Sequence, residues 1–103
     1  MDKYVDLLTQ ELPTIEHFSD TMQRHRQEIF ANVQQVMSKV FGVPPDQIKE
    51  TTKPEDIKRW DSLALLSVLL GLERRLGRKI PFGMLLAAAS VGAIVSGLMA
   101  IGQ

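Results

Sequence analysis

The chain has no cysteine among its 103 residues. This absence excludes a disulfide framework, a thiolate zinc site and a cysteine nucleophile, so any thiol chemistry must come from an attached group. It also fits a reducing compartment. The first residues, Met1 to Tyr4, lack the basic start and apolar core of a secretory signal. Both observations lead us to expect a cytoplasmic location.

The chain also has no excess charge of either sign, with 12 basic and 12 acidic residues. Nucleic-acid binding is therefore not expected, since it requires a basic surface. No serine has a plausible histidine and carboxylate partner in its sequence context, which argues against a hydrolase. His17 and His25 lack a second set of ligands and are interpreted as surface histidines, not as metal ligands or acid-base groups. We expect no catalytic residues.

An amphipathic pattern predicts a long helix that ends at Gly42, because glycine is a common C-terminal cap. Pro13 interrupts a similar pattern upstream, which predicts a short helix and a turn before the long helix. We therefore predict an amphipathic helical extension over residues 1–24 and one main domain over residues 25–103. The apolar residues of the long helix are Ile29, Phe30, Val33, Met37, Val40 and Phe41. The extension is expected to pack on the domain through Val5, Leu8 and Leu12.

Between Val43 and Trp60 the helical pattern gives way to prolines and threonines, which predicts a long ordered loop. Loops of this length inside a compact domain are usually functional. The expected apolar contacts of the loop are Val43, Ile48 and Ile57.

Three further helices are predicted after the loop. Asp61 is a suitable N-cap for a helix over Ser62–Leu76, which Gly77 ends. Pro81 begins a short third helix, and Ser90 caps a fourth. The buried side of the second helix is expected to consist of Leu65, Val68, Leu69, Leu72 and Leu76, and that of the fourth of Val91, Ile94, Val95 and Leu98.

Short motifs stand at the junctions of these predicted elements. Asp61-Ser62-Leu63 lies where the loop meets the second helix, and it is followed in order by Leu72-Glu73, Gly77, Ile80-Pro81 and Ser90-Val91. This ordered set, over roughly residues 26 to 100, resembles the acyl carrier protein family. The resemblance implies an all-α fold, a four-helix bundle with a long loop between the first two helices, here preceded by the helical extension.

The resemblance also implies a carrier and not an enzyme. Ser62 would be esterified through its hydroxyl to the phosphate of 4'-phosphopantetheine, Asp61 would be recognised by the phosphopantetheinyl transferase, and Leu63 completes the motif. The expected cargo is an acyl, aminoacyl or polyketide-type thioester. The expected partners are the transferase, an acyl- or aminoacyl-loading ligase and downstream acyl-processing enzymes.

The position of Ser62 also has a physical rationale. The first turn of a helix offers free N–H groups and the positive end of the helix dipole, which favour a phosphodiester. Asp-Ser at a helix start is also common as plain capping, and this is the alternative for the two residues taken alone. Trp60 is expected to anchor the end of the loop against the core.

Two features depart from the family pattern, and the first is the outer face of the second helix. Family members usually carry acidic residues there, where basic patches of partner enzymes dock. The predicted outward positions here are Ala64, Ser67, Leu70 and Gly71, followed by Glu73, Arg74 and Arg75. This composition favours dedicated partners that use apolar or inverted-charge contacts in a specialised pathway. Alternatively, Arg74 and Arg75 are simply solvated residues near a helix C-terminus.

The second departure is the segment after Lys79, which carries no charge. The segment is long enough to span a bilayer and follows four basic residues, but Pro81, Gly83 and Ser90 interrupt it. We expect the third helix to expose Phe82, Met84 or Leu86 as a contact patch. The alternative function is an unmodified helical protein-interaction module, with or without a membrane tether formed by this segment.

Overall fold

The computed structural model describes residues 15–101, with side chains from residue 21 onward, and the regular structure of this part is helical. The α-helices are α1 (Ile15–Phe41), α2 (Ser62–Leu76), α3 (Phe82–Ala87) and α4 (Val91–Ile101). Two single 3-10 turns, Pro45–Gln47 and Pro54–Asp56, lie in the connection between α1 and α2. The predicted all-α fold, four helices with a long loop between the first two, is confirmed.

Helix α1 crosses the predicted boundary between residues 24 and 25 without interruption. Residues 21–25 are exposed, whereas Arg26 is half-buried and Ile29 is buried. The predicted short first helix, the turn at Pro13 and the contacts of Val5, Leu8 and Leu12 lie outside the described residues and stay predictions. At the other end, Gly42 has a φ of 71° and donates its N–H to the Ser38 carbonyl at 2.9 Å, as expected of a C-terminal cap.

The core lies where α1 packs against both α2 and α4, while α3 contacts α2 and α4. The predicted stripes of α2 and α4 are buried, except that Leu76 is only partly covered. Val36, which the sequence pattern did not single out, is also buried because it packs on Gly71 of α2. A Cβ added to Gly71 would lie 2.8 Å from Cγ1 of Val36, so a glycine allows this close approach. The largest fully buried side chains among residues 21–101 are Val33, Met37, Ile48, Val68, Leu72, Leu85, Val91, Ile94, Val95 and Leu98.

The apolar segment after Lys79 forms two separate helices. Ala88 is extended and ends α3, and Ser90 starts α4 by accepting the Ala93 N–H at 3.2 Å. Of the three residues predicted as a possible contact patch, Phe82 and Met84 pack partly against the core, and Met84 sits over Gly97 of α4. Leu86, with 51% exposure, is the predicted patch residue that remains at the surface. Among the described residues, every helix is too short or too polar to cross a membrane.

The loop between α1 and α2 is held at several points along its length. Ile48 is fully buried, and Val43 and Ile57 pack partly against the core, as predicted. Gln34 of α1 donates its Nε2 to the Ile48 carbonyl at 2.9 Å. The carbonyl of Thr52 accepts the Val91 N–H at 2.9 Å and joins the loop to the first turn of α4. The loop is therefore an ordered bridge between helices, and it fixes where α2 begins.

A polar contact between Arg26 and Glu50 joins three elements. The Arg26 guanidinium donates to the Glu50 carboxylate, to the Ser96 hydroxyl at 3.0 Å and to the Gly92 carbonyl at 3.2 Å. The Glu50 carbonyl in turn accepts the Gly92 N–H at 2.8 Å. The loop, α1 and α4 are thus tied together by a network that periodicity did not predict.

Candidate functional site

Ser62 is the first residue of α2 and is exposed at the end of the long loop. The residues before it form a tight turn, in which Trp60 donates its N–H to the Ile57 carbonyl at 3.1 Å and Asp61 donates to Arg59 at 3.0 Å. The hydroxyl of Ser62 has no hydrogen-bond partner in the part of the chain that the structure describes. It is therefore accessible and chemically uncommitted.

Asp61 caps the helix, as its position in the sequence predicted. Its backbone is extended, with φ −131° and ψ 176°, and its Oδ1 accepts the Ala64 N–H at 2.8 Å. The Asp61 carbonyl accepts the Leu65 N–H at 2.9 Å, the first bond of the helix. The amides of Ser62 and Leu63 lie in this first turn, where no intrahelical carbonyl is available to them. The helix start therefore favours an anion beside Ser62.

Trp60 anchors the loop end to the core, as expected. Its indole stacks on the ring of Phe41, with 5.7 Å between ring centroids and 19° between the ring planes. Phe41 belongs to the last turn of α1 and is 3% exposed, so it is itself fixed by the core. The stacking therefore holds Trp60, two positions before Ser62, against the end of α1.

A depression of about 350 Å³ lies beside Ser62, between the end of α1, the loop and the first turns of α2. Two exposed cations, Lys58 and Arg59, line it together with apolar groups. Cations next to a helix N-terminus fit a phosphodiester. Sequence reasoning missed these two residues, although two adjacent basic residues just before Trp60 were a usable signal. The complete lining is Val40, Lys58, Arg59, Asp61, Leu63, Ala64 and Ser67.

The exposed face of α2 differs in part from the face that the sequence predicted. Ser67 and Leu70 point outward as expected, but Ala64 and Gly71 are half-buried. Leu63 and Leu66 are exposed instead, by 75% and 40%. The cause is the close contact between Gly71 and Val36, which turns that side of the helix toward α1.

Helix α2 presents no fully exposed carboxylate to solvent. Its one acidic residue, Glu73, is half-buried, and its Oε2 accepts the Ile80 N–H at 2.9 Å. The predicted loss of an acidic outer face is therefore confirmed for α2. Arg74 and Arg75 are exposed in the last turn.

Of the two histidines, His25 is exposed, and the side chain of His17 lies outside the described part. Within the described residues, no group of three or more histidine, aspartate or glutamate side chains is placed to hold a metal ion.

Comparison with known families identifies the family of this chain. Residues 31–98 match the family model described as the phosphopantetheine attachment site. This match covers more than half of the chain and includes Ser62. The chain belongs to the acyl carrier protein family. Two curated relatives agree with this assignment of the carrier.

The first relative is the acyl carrier protein of Thermotoga maritima, which is 35% identical over 71 residues, or 69% of this chain and 88% of the relative. The second is the acyl carrier protein of Saccharopolyspora erythraea, which is 30% identical over 70 residues, or 68% of this chain and 74% of the relative. Both alignments cover about three quarters or more of the relative.

Family membership defines the carrier's cofactor and general role. Its cofactor is 4'-phosphopantetheine, attached covalently. Proteins of this family receive the arm from a phosphopantetheinyl transferase and carry acyl groups for acyl-processing enzymes. When bound, the group supplies the thiol that this cysteine-free chain lacks. The exposed hydroxyl, the helix N-terminus and the cations Lys58 and Arg59 fit its phosphodiester.

Proposed function

We propose that Ser62 carries the 4'-phosphopantetheine arm and that Asp61 is read by the transferase that installs it. The observation that carries the proposal is the exposed, unbonded hydroxyl of Ser62 at the start of α2. Other serines within the matched residues are engaged: Ser38 donates to the Val43 carbonyl, Ser90 caps α4 and Ser96 accepts from Arg26. Ser67 is exposed, but it lies in the second turn of α2, away from the free amides.

The attachment is a phosphoryl transfer with coenzyme A as the donor. The Ser62 oxygen forms a bond to the phosphorus that bears the pantetheine. The diphosphate bond of coenzyme A breaks, and adenosine 3',5'-bisphosphate leaves with the electron pair. The proton of the Ser62 hydroxyl passes to a base of the transferase. The carrier itself contributes an exposed nucleophile and a helix start that favours the resulting phosphodiester.

Intact-protein mass spectrometry after incubation with coenzyme A and a promiscuous phosphopantetheinyl transferase tests this proposal. The wild-type chain should gain the mass of one phosphopantetheine group, and Ser62→Ala should gain nothing. Ser67→Ala is the matched control, because it removes an exposed serine of the same helix five positions later and should be modified like the wild type. An unmodified wild type would favour the unmodified interaction module.

We further propose that the carrier delivers an acyl, aminoacyl or polyketide-type thioester in a specialised pathway, with a dedicated loading ligase. The support is the α2 surface, which lacks the carboxylates that basic docking patches require. The arm-bearing carrier should be charged by a malonyl transferase of fatty-acid synthesis at least about tenfold more slowly than the Thermotoga maritima relative. Equal rates would contradict a dedicated partner set.

The proposed site of action is the cytoplasm, which the cysteine-free composition fits. Ultracentrifugation of a cell lysate tests this against the membrane-tethered alternative. The carrier should stay in the supernatant. Recovery in the membrane pellet would support a tether.

A further inference from the structure

We propose that the outer face of α2 docks on an enzyme surface whose apolar cleft is flanked by carboxylates, the reverse of a basic docking patch. This inference rests on the proposed attachment at Ser62, because the enzyme that covers α2 must receive the arm. Two adjacent parts form the face. The leucine stripe consists of Leu63, Leu66 and Leu70, and the cationic end consists of Arg74, Arg78 and Lys79.

The leucine stripe runs along one side of α2 and begins immediately after Ser62. Its members are three and four residues apart, the spacing of neighbours on a helix surface. Their side chains are 75%, 40% and 54% exposed. Single exposed leucines are ordinary, but three in one line form a continuous apolar surface. A partner that covers this apolar surface would gain binding free energy from its burial, at a position next to the arm.

The cationic end continues the stripe in space. Leu70, Arg74, Arg78 and Lys79 line one shallow depression of about 460 Å³, so the last leucine and the cations meet. Arg74 and Lys79 are exposed and have no hydrogen-bond partner within residues 21–101. The Nε of Arg78 is buried without a partner, while its Nη2 reaches the Leu98 carbonyl at 3.4 Å. The depression therefore offers the unpaired cationic groups of Arg74 and Lys79, whereas the Nε of Arg78 is enclosed.

The charges around the depression are not balanced by the carrier itself. Glu73 also lines the depression and offsets one of its three positive charges while its Oε2 accepts the Ile80 N–H, so the lining keeps an excess of positive charge. Arg75 is not part of the cationic end, because its Nε donates to Asn32 on α1 at 3.0 Å. A partner carboxylate can pair with the exposed Arg74 and Lys79, and the half-buried Arg78 adds positive charge beside them, whereas a basic patch would be repelled.

The shape of the face favours an enzyme over a lipid surface. The stripe is one residue wide, which fits a cleft, whereas a helix that lies on lipid presents a broad apolar face. The leucine stripe also begins next to Ser62. A lipid surface that covered the stripe would therefore bury the arm, which must enter enzyme active sites. An apolar cleft with a carboxylate rim places the arm at an enzyme and pairs the cations.

Two synthetic helical peptides of equal length test this proposal. Both carry the same leucine face, which is flanked by glutamates in one and by lysines in the other. Each is titrated into the 15N-labelled carrier bearing its arm, and amide shifts are recorded by NMR. The glutamate peptide should shift amides over residues 62–79 and bind at least about tenfold more tightly than the lysine peptide. Combining Arg74→Glu and Lys79→Glu should reverse that preference.

Matched variants separate the face from general effects. Leu70→Ala should weaken binding of the glutamate peptide, whereas Leu86→Ala should not, although Leu86 on α3 is similarly exposed, 51% against 54%. Lys49→Glu removes an exposed cation outside the face and should leave binding unchanged. The same titration is run with vesicles of phosphatidylcholine and phosphatidylglycerol as a lipid probe.

Several results would overturn the docking proposal. They are equal affinity for both peptides, binding of neither at millimolar concentration, shifts centred outside residues 62–79, and unchanged preference in the doubly reversed variant. Binding of the vesicles through the same residues would replace the enzyme with a lipid surface. The mass of each sample is measured first. A chain that carries its arm on Ser62 but shows no peptide preference contradicts docking alone, whereas a chain that cannot be modified contradicts the proposed attachment.

Discussion

The indole of Trp60 lies stacked on the ring of Phe41, with 5.7 Å between the ring centroids, and thereby joins the residue before the Asp61 cap to the last turn of α1. The start of α2 is therefore placed by an aromatic contact as well as by its cap. Replacing this ring should affect both the stability of the domain and the order of the site.

Trp60→Ala should lower the free energy of unfolding by about 2 kcal/mol, below the usual cost of a fully buried aromatic because Trp60 is half-buried. Trp60→Phe retains a ring and should lose less than about 1 kcal/mol. Urea unfolding followed by circular dichroism measures both variants. If the two variants lost equal stability, the stacked ring would not be what holds the loop end.

Asp61 has a capping role that can be separated from its proposed role in recognition. Asp61→Ala should cost about 1 kcal/mol, because the Ala64 N–H loses its acceptor. Asp61→Asn retains a capping oxygen and should be nearly as stable as the wild type. If the transferase requires the negative charge, it should modify Asp61→Asn about tenfold more slowly than the wild type, even though the variant is stable. Normal modification of a stable Asp61→Asn would limit Asp61 to capping.

Two glycines, one at the close contact between α1 and α2 and one in α3, should respond differently to replacement by alanine. Gly71→Ala should destabilise the carrier by about 1 kcal/mol, since a new Cβ would lie 2.8 Å from Val36 and overpacking outweighs the gain in helix propensity. Gly83→Ala in α3 should be neutral or slightly stabilising, because nothing lies within 4 Å of its added Cβ.

A double-mutant cycle checks the cause of the Gly71 effect. In a Val36→Ala background, Gly71→Ala should lose its cost, because the clashing methyl is gone. An unchanged cost in that background would mean that the contact between Gly71 and Val36 is not responsible.

The ion pair between Arg26 and Glu50 should contribute modestly to the free energy of unfolding. The two side chains are 32% and 40% exposed, so Glu50→Gln should cost about 0.5 to 1 kcal/mol in low salt and less in 1 M NaCl. Glu55→Gln, an exposed glutamate of the same loop, is the control and should change little. Equal losses in the two variants, or a loss that salt does not alter, would contradict this assignment.

Local signals in the sequence predicted most of the fold. Asp61, Gly77 and Ser90 bound the helices where capping chemistry requires, and the predicted stripes of α2 and α4 are buried. Capping residues and helical periodicity determine structure within their own segment, so helix ends and buried faces can be predicted without knowing the rest of the fold.

Features that depend on two distant segments were not predictable in this way. Val36 is buried because Gly71 lies opposite it, and Met84 is covered because Gly97 leaves room for its side chain. The contact between Val36 and Gly71 also determines which side of α2 faces solvent, so that Leu63 is exposed where Ala64 was expected. At the site, Asp61 and Ser62 were predicted, and the adjacent basic residues Lys58 and Arg59 were visible in the sequence, but only the folded loop shows that they line the same depression as Asp61.

Localising the arm by tandem mass spectrometry tests the central claim most directly. Trypsin should release residues 60–74 as one peptide, since Arg59 and Arg74 bound a stretch with no other basic residue. This peptide contains both Ser62 and Ser67, and fragments that break between them tell the two apart. Our account predicts phosphopantetheine on every fragment that contains Ser62 and on none that contains Ser67 alone. An arm on Ser67, an arm on another peptide, or no arm would contradict it.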